Sequence, residues 1–130
     1  MTLEKLTPNM MVENVAETIA FYRDLLGFNL VMTVPDNTPF VWALMQRGEV
    51  QVMFQERASL TEEVPLFKGM PLGGALTFYI DMQGVEALYE KIRARVQVVQ
   101  DLRTTFYGKR EFAIQDCNGF ILTFAEGEGG

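Results

Sequence analysis

The sequence predicts an α+β fold of two βαβββ modules, and three observations carry it. A single offset of 70 aligns most of the chain with itself: Val15 with Val85, Tyr22 with Ile92, Leu26 with Val96, Ala43 with Ala113, Phe54 with Phe124 and Glu56 with Glu126. Each half contains one stretch of helical period. Each half closes on two short apolar segments around a tight turn, VWALMQRGEVQVMFQE at 41–56 and KREFAIQDCNGFILTFAE at 109–126. A repeat this long points to duplication of a whole supersecondary unit.

In the first half, residues 3–12 show a strand pattern. Asn14-x-x-Glu17 then has the form of a helix N-cap. Val15, Ile19, Tyr22 and Leu26 follow at helical spacing, and Gly27 stops the helix. Strands are predicted over 28–34, 39–46 and 49–56. The PDNTP segment at 35–39 separates the first two, and Arg47-Gly48 turns the last two. Residues 57–73 are polar, contain Pro65, Gly69 and Pro71, and read as a connecting loop.

The second half repeats the order. A strand over 74–80 leads to a helix with Val85, Leu88, Ile92 and Val96 on one face. Strands near 96–102, 110–116 and 119–126 complete it. The 130 residues are thus read as one domain, with modules 1–56 and 74–126 joined by loop 57–73. One helix covers only one face of a sheet. Setting the two curved sheets side by side, as an incomplete barrel, would make a cavity of the remaining faces.

The bulk numbers exclude several function classes. Apolar residues are 48% and charged residues 22%, a globular mix. No apolar run approaches the roughly 20 residues of a membrane span. The start, MTLEKLTPN, lacks the apolar core of a signal peptide, so a cytoplasmic protein is expected. A net charge of −6 argues against nucleic acid and would attract a cation. With Cys117 alone, no intrachain disulfide forms. With no histidine, triads using a His base and His-ligated metal sites are excluded.

Four stretches resemble the vicinal-oxygen-chelate superfamily, which includes glyoxalase I, extradiol dioxygenases, fosfomycin-resistance enzymes and bleomycin resistance proteins. They are VENVAETIAFYRDLLGF (12–28), RGEVQVMF (47–54), DMQGVEALYEKI (81–92) and YGKREFAIQDCNGFILTF (107–124). The last is most similar to the bleomycin resistance branch, although Cys117 stands where that branch has proline. The resemblance implies the glyoxalase/bleomycin resistance fold, a homodimer, and ligand grooves between subunits.

In the metal-dependent members, the ligands are His, Gln or Glu on the first and last strands of each half. Those positions fall on Thr7, Ala75 and Thr123, with the remaining one on Gln51, or on Met53 by the internal repeat. Sliding by two residues finds Asn9, Thr77 and Gln55. None makes a good ligand set. No cofactor is therefore expected.

Strand parity points Thr7, Asn9, Gln51, Gln55, Thr77, Tyr79 and Thr123 into one cavity, with Met53 beside them. Phe40 and Trp42 share a face of strand 39–46 and would offer an aromatic wall. Tyr107 and Arg110, with Glu111, lie where the last hairpin begins. Glu56 and Glu126 read as exposed strand ends, and Cys117 has no base to activate it. The expected function is metal-free binding of a planar or cationic small molecule, an antibiotic in the family's manner. The alternatives are a metal-dependent glyoxalase- or dioxygenase-type enzyme and an interaction module that keeps only the fold.

Overall fold

The computed structural model describes residues 1–127. Its strands are β1 (Asn9–Val12), β2 (Asn29–Val34), β3 (Trp42–Arg47), β4 (Val50–Glu56), β5 (Thr77–Asp81), β6 (Gln97–Thr104), β7 (Lys109–Gln115) and β8 (Ile121–Gly127). Its helices are α1 (Val15–Asp24), α2 (Arg57–Glu63) and α3 (Val85–Ile92), with a short 3-10 turn at Pro65–Phe67. The sheets have the orders β1-β4-β3-β2 and β5-β8-β7-β6. In both, the first strand runs parallel to the last and the other neighbours are antiparallel. The chain divides into two compact units between Leu72 and Gly73, one βαβββ module in each.

Module 1 forms as its sequence dictates. The Asn14 side chain accepts a hydrogen bond from the Glu17 backbone N–H at 2.9 Å, satisfying one of the orphan donors at the start of α1. Val15, Ile19 and Tyr22 turn inward and are buried. The Tyr22 ring packs against Phe54 of β4 at 4.8 Å and Phe28 at 5.5 Å. Gly27 follows the helix with φ of 72°, and a Cβ there would lie 2.9 Å from the Arg47 guanidinium. That guanidinium donates to the Leu26 carbonyl at 2.6 Å, and the positive φ is what favours glycine here.

Module 2 solves the same problems with different residues. Tyr89 and Ile92 of α3 are buried, with Tyr89 against Phe112 at 5.1 Å and Phe112 against Phe124 at 5.2 Å. Gly84 precedes α3 with φ of 80° and has no side chain to cap it. Glu126, at the end of β8, accepts from both Gly84 and Val85 N–H at 3.0 Å. It caps the helix rather than standing as a bare strand end.

The structure corrects four sequence expectations. The first strand is Asn9–Val12, not 3–12: its parallel ladder on β4 begins with Asn9 opposite Met53. The 57–73 stretch is not a loop throughout. Residues 57–63 form α2, whose Leu60 is buried, and the Pro and Gly beyond it masked that short helical run. Phe40 lies before β3, not within it. The single offset also fails across the hairpins. It holds for β4 and β8, but Ala43 pairs with Phe54 whereas Phe112, not Ala113, pairs with Phe124. The β7–β8 turn displaces β7 by one residue, so Glu111 is the counterpart of Trp42. Each sits across from the same site on the last strand, Gln55 and Ala125 respectively.

Candidate functional site

In each module, alternate strand residues turn away from the long helix. In module 1 this face carries Asn9 and Met11 of β1, Trp42, Leu44 and Gln46 of β3, and Gln51, Met53 and Gln55 of β4. Trp42 is half-buried, beside Gln55 and across from Val34. Of the predicted residues, Asn9, Trp42, Gln51, Met53 and Gln55 are brought together. Thr7 precedes β1 and Phe40 precedes β3, so neither is held by a ladder.

The polar groups of this face bond to one another. Gln55 is buried; its carbonyl accepts from the Asn9 amide at 2.8 Å, and its own amide donates to Ser59 at 2.9 Å and Glu63 at 2.8 Å. Ser59 and Glu63 belong to α2, so the unforeseen helix is what satisfies the buried amide. Gln51 donates to Gln46 at 3.0 Å and accepts from Lys5.

In module 2 the corresponding face carries Thr77 and Tyr79 of β5, Glu111 and Ala113 of β7, and Thr123 and Ala125 of β8. The Thr77 and Thr123 hydroxyls bond at 2.6 Å. Arg110 alternates to the other face, where it pairs with Glu86 of α3 at 3.1 Å. It therefore does not join Thr77, Tyr79 and Thr123, contrary to its place among the predicted ligand-binding residues.

Glu111, which the sequence placed only at the start of the last hairpin beside Tyr107 and Arg110, is a buried member of this face. Only 3% of it is exposed. Tyr79 and Tyr107 both donate their hydroxyls to its Oε2, Tyr107 at 2.7 Å. Its Oε1 lies 4.0 Å from Arg103 of β6, an ion pair too long to be a hydrogen bond. A glutamate buried in mid-strand needs such partners. The available signal was the strand period itself, which places Glu111 one residue from Arg110 and hence on the opposite face.

Bonding to Glu111 pushes the Tyr79 hydroxyl well above its ordinary range, with burial second, and raises Tyr107 in the same way. The neutral phenol is the favoured form. Its contribution to stability is full below the unfolded tyrosine value of about 10 and is lost as pH rises through the folded value. The stability advantage of the natural protein over Tyr79→Phe, read from urea midpoints, should therefore be full below about pH 10 and shrink as pH rises above it, with tyrosinate absorbance reporting the ionisation. Superimposable curves for the two proteins would remove the bond from consideration.

A shallow depression also lies where β5 and β8 end, lined in part by Asp81, Lys109 and Glu126. Its charged groups are engaged: Lys109 pairs with Asp81 at 2.8 Å and Glu126 caps α3. The residues on the two helix-free faces do not fit a metal. Thr77 and Thr123 are neutral and bonded as one pair, Asn9 and Gln55 as another, and no group of three Asp, Glu, Cys or His able to hold an ion occurs among the described residues.

Comparison with known proteins agrees with this geometry. The profile of the Glyoxalase/Bleomycin resistance protein/Dioxygenase superfamily matches residues 6–124. A bleomycin resistance protein from Geobacillus stearothermophilus is 24% identical over 126 residues, covering 90% of this chain and 92% of that protein. Among solved structures, a glyoxalase/bleomycin resistance protein/dioxygenase from Nocardioides has a TM-score of 0.78 at 17% identity, covering all of this chain and 88% of its own. TioX from Micromonospora sp. ML1 has a TM-score of 0.75 at 15% identity, covering 95% and 98%. These structural likenesses bear on the fold alone.

Proposed function

Since the chain belongs to the glyoxalase/bleomycin resistance protein/dioxygenase superfamily, we propose that it is a metal-free protein that sequesters a planar or cationic small molecule without covalent chemistry. The observation that carries this reading is the state of the polar groups at Thr123, one of the positions where the metal-dependent members hold a ligand, and at Asn9, Thr77 and Gln55, each two residues along a strand from another such position. Thr77 and Thr123 satisfy each other, as do Asn9 and Gln55, so these faces hold bound amides and hydroxyls in place of a ligand set. The curated relatives named as bleomycin resistance proteins favour binding over catalysis. Trp42, Leu44 and Met53 supply an apolar surface with one aromatic ring for a flat compound. The charge of −6 favours the approach of a cation.

Trp42 is the only tryptophan, so its fluorescence has one source. Titration with ethidium, a flat aromatic cation, is expected to change that fluorescence and raise the melting temperature. Trp42→Ala should weaken binding by about 1–3 kcal/mol. Elemental analysis should find far less than one divalent ion per chain. Tightly held metal at one per chain, or a Trp42→Ala protein that binds ethidium as well as the natural one, would defeat the reading.

The working unit is proposed to be a homodimer. Strand β2 is a sheet edge that exposes Leu30, Val31, Met32 and Val34, and such edges are commonly covered by another chain. Light scattering at micromolar concentration should give twice the chain mass; a monomer would count against it.

A further inference from the structure

We infer that Glu111, Tyr79 and Tyr107 form the cation-recognition point of module 2, a site for an amidinium, guanidinium or ammonium group. The inference rests on the small-molecule reading above and deepens it. Both tyrosines give their only hydroxyl proton to Glu111. Each phenol oxygen is left with lone pairs alone to offer a ligand. Donation to a carboxylate also polarises a phenol and makes its oxygen a better acceptor. The cluster therefore accepts hydrogen bonds and rejects anions and neutral acceptors.

Its shape fits a cation with an apolar body. Glu111 is 3% exposed, while Tyr79 and Tyr107 are about half exposed at 47% and 52%. The carboxylate thus supplies charge from behind and the rings form the accessible surface. Phe106 extends that surface: it packs edge-on to Tyr107 at 4.9 Å and is 99% exposed. The Tyr79 ring already has a cation beside it, with Lys109 Nζ 5.8 Å from its centre. Arg103 is the internal competitor. Its guanidinium is half exposed and stands 4.0 Å from Glu111 without bonding to it, so a ligand cation with closer contacts can replace its influence.

Isothermal titration of the whole protein with a planar aryl bis-amidine and with the neutral bis-amide of the same shape tests the site. The amidine should bind about ten- to a hundredfold more tightly, the span of one charge-assisted hydrogen bond. Glu111→Gln should bring the amidine down to the level of the amide while leaving the amide unchanged. Tyr79→Phe should lower the same ratio. Arg103→Gln, at an exposed position that does not threaten folding, should raise amidine affinity, and so tests the site even if the Glu111 variant fails to fold. Equal binding of amidine and amide, or an Arg103→Gln protein with an unchanged or lowered ratio, would overturn the cation site and leave the small-molecule reading standing. Failure of both compounds to bind would overturn the two together.

Discussion

Replacing Phe54 by alanine is expected to cost about 3–5 kcal/mol of folding free energy, the range for a fully buried phenylalanine. Phe54 is 0% exposed. It pairs with Met10 on one side and Ala43 on the other, and meets the Tyr22 ring of α1 at 4.8 Å. Truncation would open a cavity where α1 packs on the sheet, and Tyr22 cannot fill it without leaving Phe28. Urea unfolding should show the midpoint moving with little change in slope. Phe106→Ala, at a 99% exposed ring, should move it by no more than about 0.5 kcal/mol. Similar losses for the two would refute the assignment of this core.

The second large effect is expected at Asp116. Its Oδ1 accepts from the backbone N–H of Asn118 and of Phe120, both at 2.9 Å, and the side chain is buried. Asp116→Ala leaves both donors unsatisfied, the Phe120 N–H in a buried setting, at a combined cost of about 2–4 kcal/mol. Asp116→Asn keeps an acceptor at the same place and should recover most of that loss. If alanine and asparagine destabilise alike, the turn does not depend on these bonds. Between β3 and β4 the turn spans only Gly48 and Glu49, and there the Gln46 side-chain amide donates to the Gly48 carbonyl at 2.9 Å.

Where the chain's chemistry is local, the sequence was readable. The Asn14 cap, the Val15-Ile19-Tyr22-Leu26 stripe and the stop at Gly27 act within one or two helical turns, and the structure reproduces them. Strand parity likewise brought Asn9, Gln51, Met53 and Gln55 to one face and Thr77, Tyr79 and Thr123 to another. What escaped depends on distant partners. Nothing near Glu111 announces that Tyr79, 32 residues earlier, will bond to it. Arg110 and Glu111 read together as the start of the hairpin, although consecutive strand residues face opposite ways. The missed helix α2 draws its stability from Leu60 beneath and Gln55 alongside, neither of which a short run of RASLTEE reveals.

The two caps carry a consequence for the order of folding. Asn14 serves α1 from three residues away, so that helix has its start signal as soon as its first turn leaves the ribosome. Glu126 serves α3 from 41 and 42 residues downstream. The second helix therefore waits for almost the last residue of the described chain, and closing that loop must precede the benefit. The two modules share one order of elements, yet the first has a helix whose cap is available within its own first turn, and the second has one whose cap arrives only once the module's last strand has been made.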